Sequence, residues 1–313
     1  MATSSRQAIA QDELRRVFAV PPLPRTQTPR RSLDFDAASR VADHIAAGGV
    51  TRFLYGGNAF LYHISLSDYE ALIDWLAAFP GDRWAIPSVG PSFGRALDQA
   101  CILRRHPFRC AMVLPCGDPR DALGLEVGIR EIADAAGVPL ILYIKSEDSF
   151  GSNVDRGLDA ISRLVTDGVA VAIKYAIVRE DPARDAYLDG LLKRVDRARV
   201  ISGMGERPAI VHLRDFGLAG LTTGSGCVAP RRCRDLHRAC LAHSWVEAEG
   251  IRARFMPLED LRDAWGPARV LHHATELAGI APTGAVLPYV SPLNRQQLDQ
   301  LRPVARALRE FDV

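Results

Sequence analysis

The sequence contains almost no lysine. Lysine occupies only positions 145, 174 and 193 among the 39 basic residues, and every other basic residue is an arginine. The net charge of +2 gives no long-range field, and the basic residues are scattered between acids, so nucleic acids and anionic membranes are poor partners. One lysine, Lys174, lies in the apolar stretch GVAVAIKYAIVRE (168–180), where a cation needs an explanation.

Long apolar runs are also missing. No segment approaches the roughly 18 apolar residues of a membrane span, and residues 1–16 lack the apolar core of a signal peptide. We therefore expect a cytosolic protein. The six cysteines form no C-x-x-C pair, and the spacing of Cys227, Cys233 and Cys240 does not match a zinc site. Free, mostly buried thiols are expected.

Strand-like and helix-like segments alternate from about residue 16 to about residue 225. The strand-like segments are short and apolar and are joined through helices, which indicates parallel strands covered on both faces. No G-x-G-x-x-G motif follows the first strand, so an open dinucleotide-binding sheet is disfavoured. Eight strand–helix steps favour an α/β fold of the closed (β/α)8 TIM barrel type. The strands are predicted at 17–23, 51–55, 84–89, 108–115, 138–144, 169–175, 198–203 and 218–224.

The alternation stops near residue 231, and amphipathic helices follow. We therefore predict that residues 1–230 form the barrel. Residues 231–313 are predicted to form its closing helix and a C-terminal helical region packed on the barrel. For one barrel helix, Ser67 and Glu70 have the spacing of a capping box, which predicts a helix start at Ser67.

Two residues at strand ends could carry chemistry. Barrel enzymes work at the carboxyl ends of their strands, where Lys174 ends the sixth predicted strand and Tyr143 the fifth. Because side chains alternate along a strand, an inward Lys174 shares its face with Ala170 and Ala172, which leave it room. On the neighbouring strand, Tyr143 should then lie beside it.

A lysine beside a tyrosine suggests imine chemistry. Desolvation lowers the pKa of a lysine, and the neutral amine can attack a ketone to give a carbinolamine and then an imine. The protonated imine is an electron sink for breaking an adjacent C–H or C–C bond, and a phenol can relay the protons. The alternative is a strand-end Lys174 that reaches solvent or pairs with Glu180 or Asp181, next to an ordinary core tyrosine.

Two loops and one acid could line a ligand. In YGGNAFLYHISLS (55–67), Gly57 and Asn58 could turn backbone N–H groups toward a carboxylate, although Gly-Gly-Asn is also a common turn composition. The loop GLTTGSG (220–226) has the same two interpretations. Glu206, in SGMGERP, could be simply a first-turn acid that the helix dipole favours.

Together these segments resemble the dihydrodipicolinate synthase / N-acetylneuraminate lyase family of class I, Schiff-base (β/α)8 enzymes. VAIKYA is similar to the family strand G-I-K-D-S, which implies that Lys174 forms the imine. PLILYIKSED is similar to L-L-Y-N-x-P-x-R, which implies that Tyr143 is the acid/base. YGGNA with SLSDYEAL occupies the place of the G-T-T-G-E loop and its S-L-S-x-x-E helix. GLTTGSGCVAP is similar to G-V-I-S-x-x-x-N-V-A-P, which puts Thr222 at a substrate-facing position.

The departures from the family pattern concern the substrate. The G-T-T-G-E loop becomes Gly56 to Ala59, and the arginine that grips a semialdehyde carboxylate in the synthases is replaced by Asp148. The second tyrosine of the proton relay falls at Cys116 or Gly117. Lysine biosynthesis is therefore not the expected role. The Gly-Gly loop is more similar to the branch that dehydrates keto-deoxy sugar acids, and Glu206 matches an acid that contacts the polyol tail in sialic-acid lyases.

The sequence therefore predicts a lyase that cleaves or dehydrates a 2-oxo acid such as pyruvate or a keto-deoxy sugar acid, with the substrate carboxylate against the backbone of Gly57 and Asn58. No metal and no cofactor are expected, and the resemblance implies a homotetramer or a dimer. The alternative is a catalytically impaired member that binds a 2-oxo acid or sugar acid without turnover. A metal- or phosphate-dependent barrel enzyme is disfavoured, because no His/Asp/Glu cluster marks the strand ends.

Overall fold

The structure, a computed structural model, describes residues 9–117 and 120–313. These residues contain one sheet of nine strands, and every neighbouring pair runs parallel. The strands are β1 (Val17–Ala19), β2 (Arg52–Leu54), β3 (Trp84–Ile86), β4 (Ser88–Val89), β5 (Ala111–Val113), β6 (Leu140–Ile144), β7 (Ala170–Tyr175), β8 (Val200–Ser202) and β9 (Gly220–Thr223).

The sheet closes on itself through a strand that a proline divides. The strand order is β3-β2-β1-β9-β8-β7-β6-β5-β4, and only Pro87 separates its two end members along the chain. Proline has no N–H group to give to a neighbouring strand, so the ladder is interrupted there. Its carbonyl still accepts a hydrogen bond from the Met112 N–H at 2.8 Å. The nine segments therefore correspond to eight barrel strands, which confirms the predicted (β/α)8 barrel.

Helices connect the strands and cover the outside of the barrel, so both faces of the sheet are buried. A typical one, α6, turns Leu158, Ile161 and Leu164 into the core and its charged residues outward. The helices of this part are α1 (Gln11–Leu14), α2 (Phe35–Ala47), α3 (Leu66–Ala77), α4 (Phe93–Leu103), α5 (Ala122–Ala136), α6 (Val154–Thr166), α7 (Ala186–Leu192), α8 (Ala209–Arg214) and α9 (Pro230–Leu241).

Three further helices follow the barrel and pack on one another: α10 (Trp245–Trp265), α11 (Pro267–Leu277) and α12 (Arg295–Phe311). α10 also contacts α9, and α11 contacts the short turn Gly57–Ala59 that follows β2. The C-terminal helices thus reach the end of the barrel where the strands finish. The division of the chain at residue 230 stays a prediction. Within the described ranges, no helix is long and apolar enough to cross a membrane.

One helix start differs from its prediction. The N-cap of α3 is Ser65, whose hydroxyl accepts a hydrogen bond from the Asp68 N–H at 3.1 Å. Ser67 and Glu70 lie inside the helix, so the predicted capping box is wrong. The segment holds two Ser-x-x-acid pairs two residues apart, and the helix uses the earlier one because Ile64, just before the cap, is buried in the core.

Candidate active site

Lys174 and Tyr143 lie side by side at the carboxyl ends of adjacent strands. They are directly paired in the register of β6 and β7. The Lys174 Nζ lies 4.2 Å from the centroid of the Tyr143 ring. An amine above an aromatic face is attracted by the ring when it is charged, and it is held in place by packing when it is neutral. The structure thus brings together the two residues that the sequence singled out for imine chemistry.

The room for Lys174 comes from its small neighbours. Ala170 and Ala172 precede it on the same face of β7, and the whole strand is buried. Beyond β7, the Gly203 N–H donates a 2.6 Å hydrogen bond to the Tyr175 carbonyl. A Cβ at Gly203 would lie 2.9 Å from the Lys174 Cγ and 2.6 Å from that carbonyl oxygen. Only glycine fits there, so position 203 helps to keep the lysine stem extended into the barrel.

The environment of Lys174 does not match a surface lysine. Its exposed fraction is 4%, and Asp181 pairs instead with Arg184 at 3.4 Å. Within residues 9–117 and 120–313, no ion-pair partner stands by Lys174. Burial, followed by the positive charges of Lys145 and Arg262, lowers the pKa of Lys174 from 10.5 to about 7. A large fraction of the amine is therefore neutral at neutral pH.

Tyr143 stays protonated beside this amine. Burial raises the pKa of its phenol to about 12, so the group can donate a proton and recover it without becoming a stable phenolate. Next to the ring a small cleft of about 60 Å³ is lined by apolar side chains such as Pro115 and Leu142, and by Cys116. The phenol is thus in a largely apolar surrounding that favours short proton transfers over exchange with bulk water.

The depressed pKa of Lys174 predicts a pH-dependent stability. Between pH 7 and pH 10.5 the unfolded chain holds a proton on this lysine that the folded chain does not, so the free energy of unfolding rises with pH in that window. Integrated over the window, the contribution is roughly 4 kcal/mol. Lys174→Met is expected to remove this rise, and denaturant unfolding at pH 7 and pH 9.5 measures it. Lys193→Met, at an exposed lysine, should keep the wild-type slope, and an unchanged slope in Lys174→Met would contradict the depressed pKa.

The loop after β2 presents backbone N–H groups near the strand ends. Gly57 and Asn58 open a short 3₁₀ turn, in which the Ala59 and Phe60 N–H groups donate to the Gly56 and Gly57 carbonyls. The first two N–H groups of such a turn have no partner inside it, so they are available to an anion. The Asn58 side chain is used structurally, because its amide donates to the Val20 carbonyl at 2.7 Å.

The loop is held in place from the C-terminal helices. The His272 Nε2 donates to the Asn58 carbonyl at 2.9 Å, since a carbonyl only accepts. The pKa of His272 falls to about 4 through burial, so the ring is neutral and its remaining nitrogen, Nδ1, has no partner in the described residues. The Phe60 ring stacks between His272 and Tyr289, at centroid distances of 4.9 and 5.2 Å. The Gly57–Ala59 turn is therefore held by contacts from α11 and from the segment that contains Tyr289.

The side chains of Thr222 and Glu206 lie on opposite sides of the sheet, at β9. Along the ladder Lys174 pairs with Ile201 and Ile201 with Gly220, so Thr222, two residues on, shares the Lys174 face. Thr223 points to the other face, where its hydroxyl donates to the Glu206 carboxylate. Glu206 is fully buried there, and burial together with the nearby Glu259 raises its pKa to about 7. The structure brings Thr222 to the lysine but not Glu206.

The position of Glu206 does not support the predicted contact with a polyol tail. Its carboxylate also meets the Cys233 thiol of α9, between the sheet and that helix. The resemblance alone placed it in the pocket, whereas in the structure its carboxylate accepts from the Thr223 hydroxyl. One of its oxygens, Oε2, has no hydrogen-bond partner among the described residues.

Arg262 is a charged residue of the site that sequence reasoning missed. It reaches from α10 over Gly224, where a Cβ would lie 2.3 Å from its Nη2 atom. Its exposed fraction is 8%, and it pairs with Glu259 and donates to the Ser225 hydroxyl at 3.2 Å. Burial acts to lower the pKa of Arg262, but the carboxylates of Glu259 and Glu206 outweigh it and raise the pKa, so Arg262 stays a cation that acts on Lys174. The glycine at 224 was the one available signal, and it does not say which side chain fills the space.

The departures from the family pattern have structural counterparts. Asp148 forms a two-point ion pair with Arg120, at 2.7 and 3.2 Å, in place of the synthase arginine. Cys116 lines the cleft beside Tyr143 without a phenol. All six cysteines are free thiols, four of them buried. Among the described residues no group of three His, Cys, Asp or Glu side chains could hold a metal ion.

The sequence is similar to curated synthases over most of its length. It is 31% identical over 264 residues to a 4-hydroxy-tetrahydrodipicolinate synthase of Pseudomonas putida (strain W619), which covers 82% of this chain and 86% of the relative. It is 24% identical over 245 residues to the Rhodopseudomonas palustris (strain BisA53) protein of the same name, covering 73% and 76%. No protein-family model matches.

The fold is shared with solved structures of the same kind. A dihydrodipicolinate synthase from Oceanobacillus iheyensis superposes with a TM-score of 0.82 at 19% identity, covering 96% of this chain and 100% of that one. A dihydrodipicolinate synthase from Bacillus clausii gives a TM-score of 0.80 at 18% identity, covering 97% and 99%. At these identities the likeness concerns the barrel and its C-terminal helices.

Proposed function

Because the chain belongs to the dihydrodipicolinate synthase / N-acetylneuraminate lyase family of class I lyases, we propose that it acts on a 2-oxo acid through an imine at Lys174. The motif resemblance is thereby confirmed at the level of the family. The observation that carries the proposal is the buried Lys174 amine, with a pKa of about 7, packed 4.2 Å from the Tyr143 ring centroid. The substrate and the role of each residue are proposals.

The first step is attack by the neutral Lys174 amine on C2 of the substrate. The carbonyl π bond breaks, its oxygen takes a proton, and the carbinolamine loses water to give the protonated imine. Tyr143 supplies and recovers the protons, since its phenol is protonated and lies next to the amine. The imine then accepts the electron pair of a C–H or C–C bond at C3, which gives an enamine. Protonation at C3 or loss of a C4 leaving group completes cleavage or dehydration.

The substrate carboxylate is proposed to lie against the first N–H groups of the Gly57–Ala59 turn. Those two donors are free within the turn and belong to a loop fixed by Val20 and His272. Thr222 adds a hydroxyl on the Lys174 face of β9. A small oxo acid can thus be held at one end by backbone N–H groups while its C2 meets the amine.

We propose that the part of the substrate remote from C2 is not the semialdehyde that the synthases hold. The synthase arginine is absent, and Asp148, which stands in its place, is paired with Arg120. The Arg120 guanidinium at that end is already held by Asp148, whereas hydroxyl groups of a substrate can donate to the Asp148 carboxylate. This favours pyruvate alone or a keto-deoxy sugar acid.

Borohydride trapping tests the proposal. The wild-type protein is incubated with pyruvate, a keto-deoxy sugar acid or another 2-oxo acid, reduced, digested and analysed by mass spectrometry. We expect the mass of the reduced ligand on the peptide that contains Lys174. The absence of any adduct across the panel would overturn the proposal. With a keto-deoxy sugar acid as substrate, release of pyruvate indicates cleavage, and formation of a dehydrated oxo acid indicates dehydration.

A binding protein without turnover is the second candidate, and the altered relay beside Tyr143 favours it. The second tyrosine of the family pattern falls at Cys116 or Gly117, and neither residue offers a phenol to relay hydroxyl protons. This candidate predicts that ligands raise the melting temperature of both wild type and Lys174→Ala, with no turnover by the wild type. Turnover by the wild type excludes it.

Arg262 is proposed to keep the lysine amine neutral, which gives a testable pH shift. Removing a positive neighbour favours the protonated amine, so Arg262→Gln should move the pH midpoint of adduct formation upward and slow trapping a few-fold at pH 7. Trapping rates from pH 6 to pH 9 measure the midpoint. Arg207→Gln is the matched control, because Arg207 pairs with Asp260 and Asp263 of the same helix and does not act on Lys174. A midpoint unchanged in Arg262→Gln would contradict the electrostatic role.

A further inference from the structure

A second cavity lies at the opposite end of the barrel from Lys174. Its volume is about 340 Å³, within the range of small-molecule sites. Arg52 and Trp84 are the first residues of β2 and β3, whereas Lys174 is near the end of β7, and all strands run parallel. The cavity therefore opens at the amino ends of the strands. Its walls include Arg52, Phe79, Arg83, Trp84, Phe108 and Arg109.

The charge around this cavity is unbalanced. Arg52 donates to the Thr51 hydroxyl at 2.8 Å, and in the described part of the chain no carboxylate pairs with it. Two more guanidinium groups, Arg16 and Arg109, act on Arg52 and, together with its burial, lower its pKa. Glu13 is the one carboxylate that opposes them, and it is already held by both terminal nitrogens of Arg109 at 2.7 and 2.9 Å. The cluster of Arg16, Arg52 and Arg109 thus keeps an excess of positive charge.

The acids at the rim do not remove this excess. Asp43 pairs with Arg83 at 2.6 Å, which balances that arginine only. Asp82 also lines the cavity, but its side chain is exposed to solvent at the mouth, where screening weakens its effect. The inner wall is therefore the positive part of the cavity.

Several donors on the inner wall have no acceptor. The Trp84 side chain is 7% exposed, and its indole Nε1 is buried without a hydrogen-bond partner in the described residues. The Nε atoms of Arg52, Arg83 and Arg109 are likewise buried and unpartnered. A buried donor without an acceptor is costly, so several of them in the walls of one cavity indicate a missing acceptor.

Two guanidinium groups crowd the indole ring of Trp84. The guanidinium carbons of Arg109 and Arg52 lie 4.8 and 5.6 Å from its centroid. Two cations beside one ring repel each other, and an anion near both would relieve that repulsion. The missing acceptor is therefore an oxyanion.

We propose that this cavity binds a phosphomonoester of a small metabolite. The phosphoryl group would accept hydrogen bonds from the Trp84 N–H and the Arg52 guanidinium, and its double negative charge would balance the arginine excess. A tetrahedral group with three terminal oxygens matches several convergent donors better than a single carboxylate does. The cavity exceeds the size of a free ion, and the remainder holds the rest of the ester.

Calorimetric titration of the whole protein tests the site. The titrants are glycerol 3-phosphate, glucose 6-phosphate, inorganic phosphate, acetate and glucose. We expect saturable binding of a phosphomonoester and none of acetate or glucose. Arg52→Gln should weaken that binding about tenfold, and Trp84→Phe, which keeps the ring but lacks the N–H, should weaken it a few-fold. Arg302→Gln, at an exposed arginine of α12, is the matched control and should bind as the wild type does.

The outcomes distinguish a phosphomonoester from free phosphate, and the cavity from the site at Lys174. If inorganic phosphate binds as tightly as both esters, the proposal of a phosphomonoester is overturned and the cavity is a site for the free ion. No binding by the wild type, or equal binding by Arg52→Gln, would overturn the site altogether. Melting temperatures and borohydride trapping at Lys174 check that each variant is folded. Binding that persists in Lys174→Met places the ester outside the barrel mouth, whatever the fate of the proposed function.

Discussion

Lys174→Met is expected to abolish the borohydride adduct and to lower turnover by at least about 10³-fold, the scale seen when a covalent nucleophile is removed. Methionine fills nearly the same volume along β7 but has no amine to attack C2 of the oxo acid. The loss should not come from unfolding. The folded wild type carries an amine whose pKa has been lowered by burial to about 7, and a thioether there has no charge to desolvate.

Lys145 and Lys193 make this test unusually clean, because they are the only other lysines. Lys193→Met, at the exposed end of α7, is the matched control and should keep both adduct and turnover. Peptide mapping by mass spectrometry assigns the adduct. An adduct that persists in Lys174→Met, on the peptide of Lys145, would show that the imine had been assigned to the wrong lysine.

Tyr143→Phe is expected to lower turnover by about 10²- to 10³-fold, the usual contribution of a positioned acid/base. The phenyl ring keeps its place over the Lys174 amine, so the amine stays neutral and able to attack. Adduct formation should therefore become slower without disappearing. Rapid-quench trapping measures the rate of adduct formation, and steady-state kinetics measures the turnover.

Tyr62→Phe is the matched control for the phenol. Tyr62 is a half-buried tyrosine close enough to interact electrostatically with Tyr143, and the Lys145 Nζ lies 5.9 Å from its ring centroid. Its hydroxyl is not the one beside Lys174, so its removal should change turnover only a few-fold. If both variants lose activity equally, the proton relay does not depend on Tyr143 in particular.

The barrel and the lysine–tyrosine pair were predictable from local patterns. Short apolar strands separated by helices restrict the chain to parallel pairing, and an alternating strand decides which face each residue takes. Lys174 and Tyr143 needed only that rule and the order of the strands. The interruption at Pro87 was also visible as a proline inside WAIPSV, although the closure that it divides became clear only from the strand order.

The remaining parts of the site depend on contacts that a local pattern does not contain. Arg262 comes from a helix far along the chain, and it is placed by packing over Gly224. Glu206 follows a strand end correctly, but its side chain turns to Thr223 on the outer face. The start of α3 was missed because Ser65 and Ser67 offer the same local signal and burial of the preceding residue decides between them.

The reach of Arg262 into the mouth of the barrel matters for how this chain can be recombined with its relatives. Of the two side-chain charges that act on Lys174, that of Arg262 belongs to α10, and the loop at Gly57 is fastened by His272 of α11. A chimera that joins this barrel to the C-terminal helices of a relative would keep Lys174 but inherit a different protonation state and a differently held loop. Transplanting residues 231–313 should therefore change the pKa of Lys174, and shuffled hybrids should inherit their pH dependence from both parents.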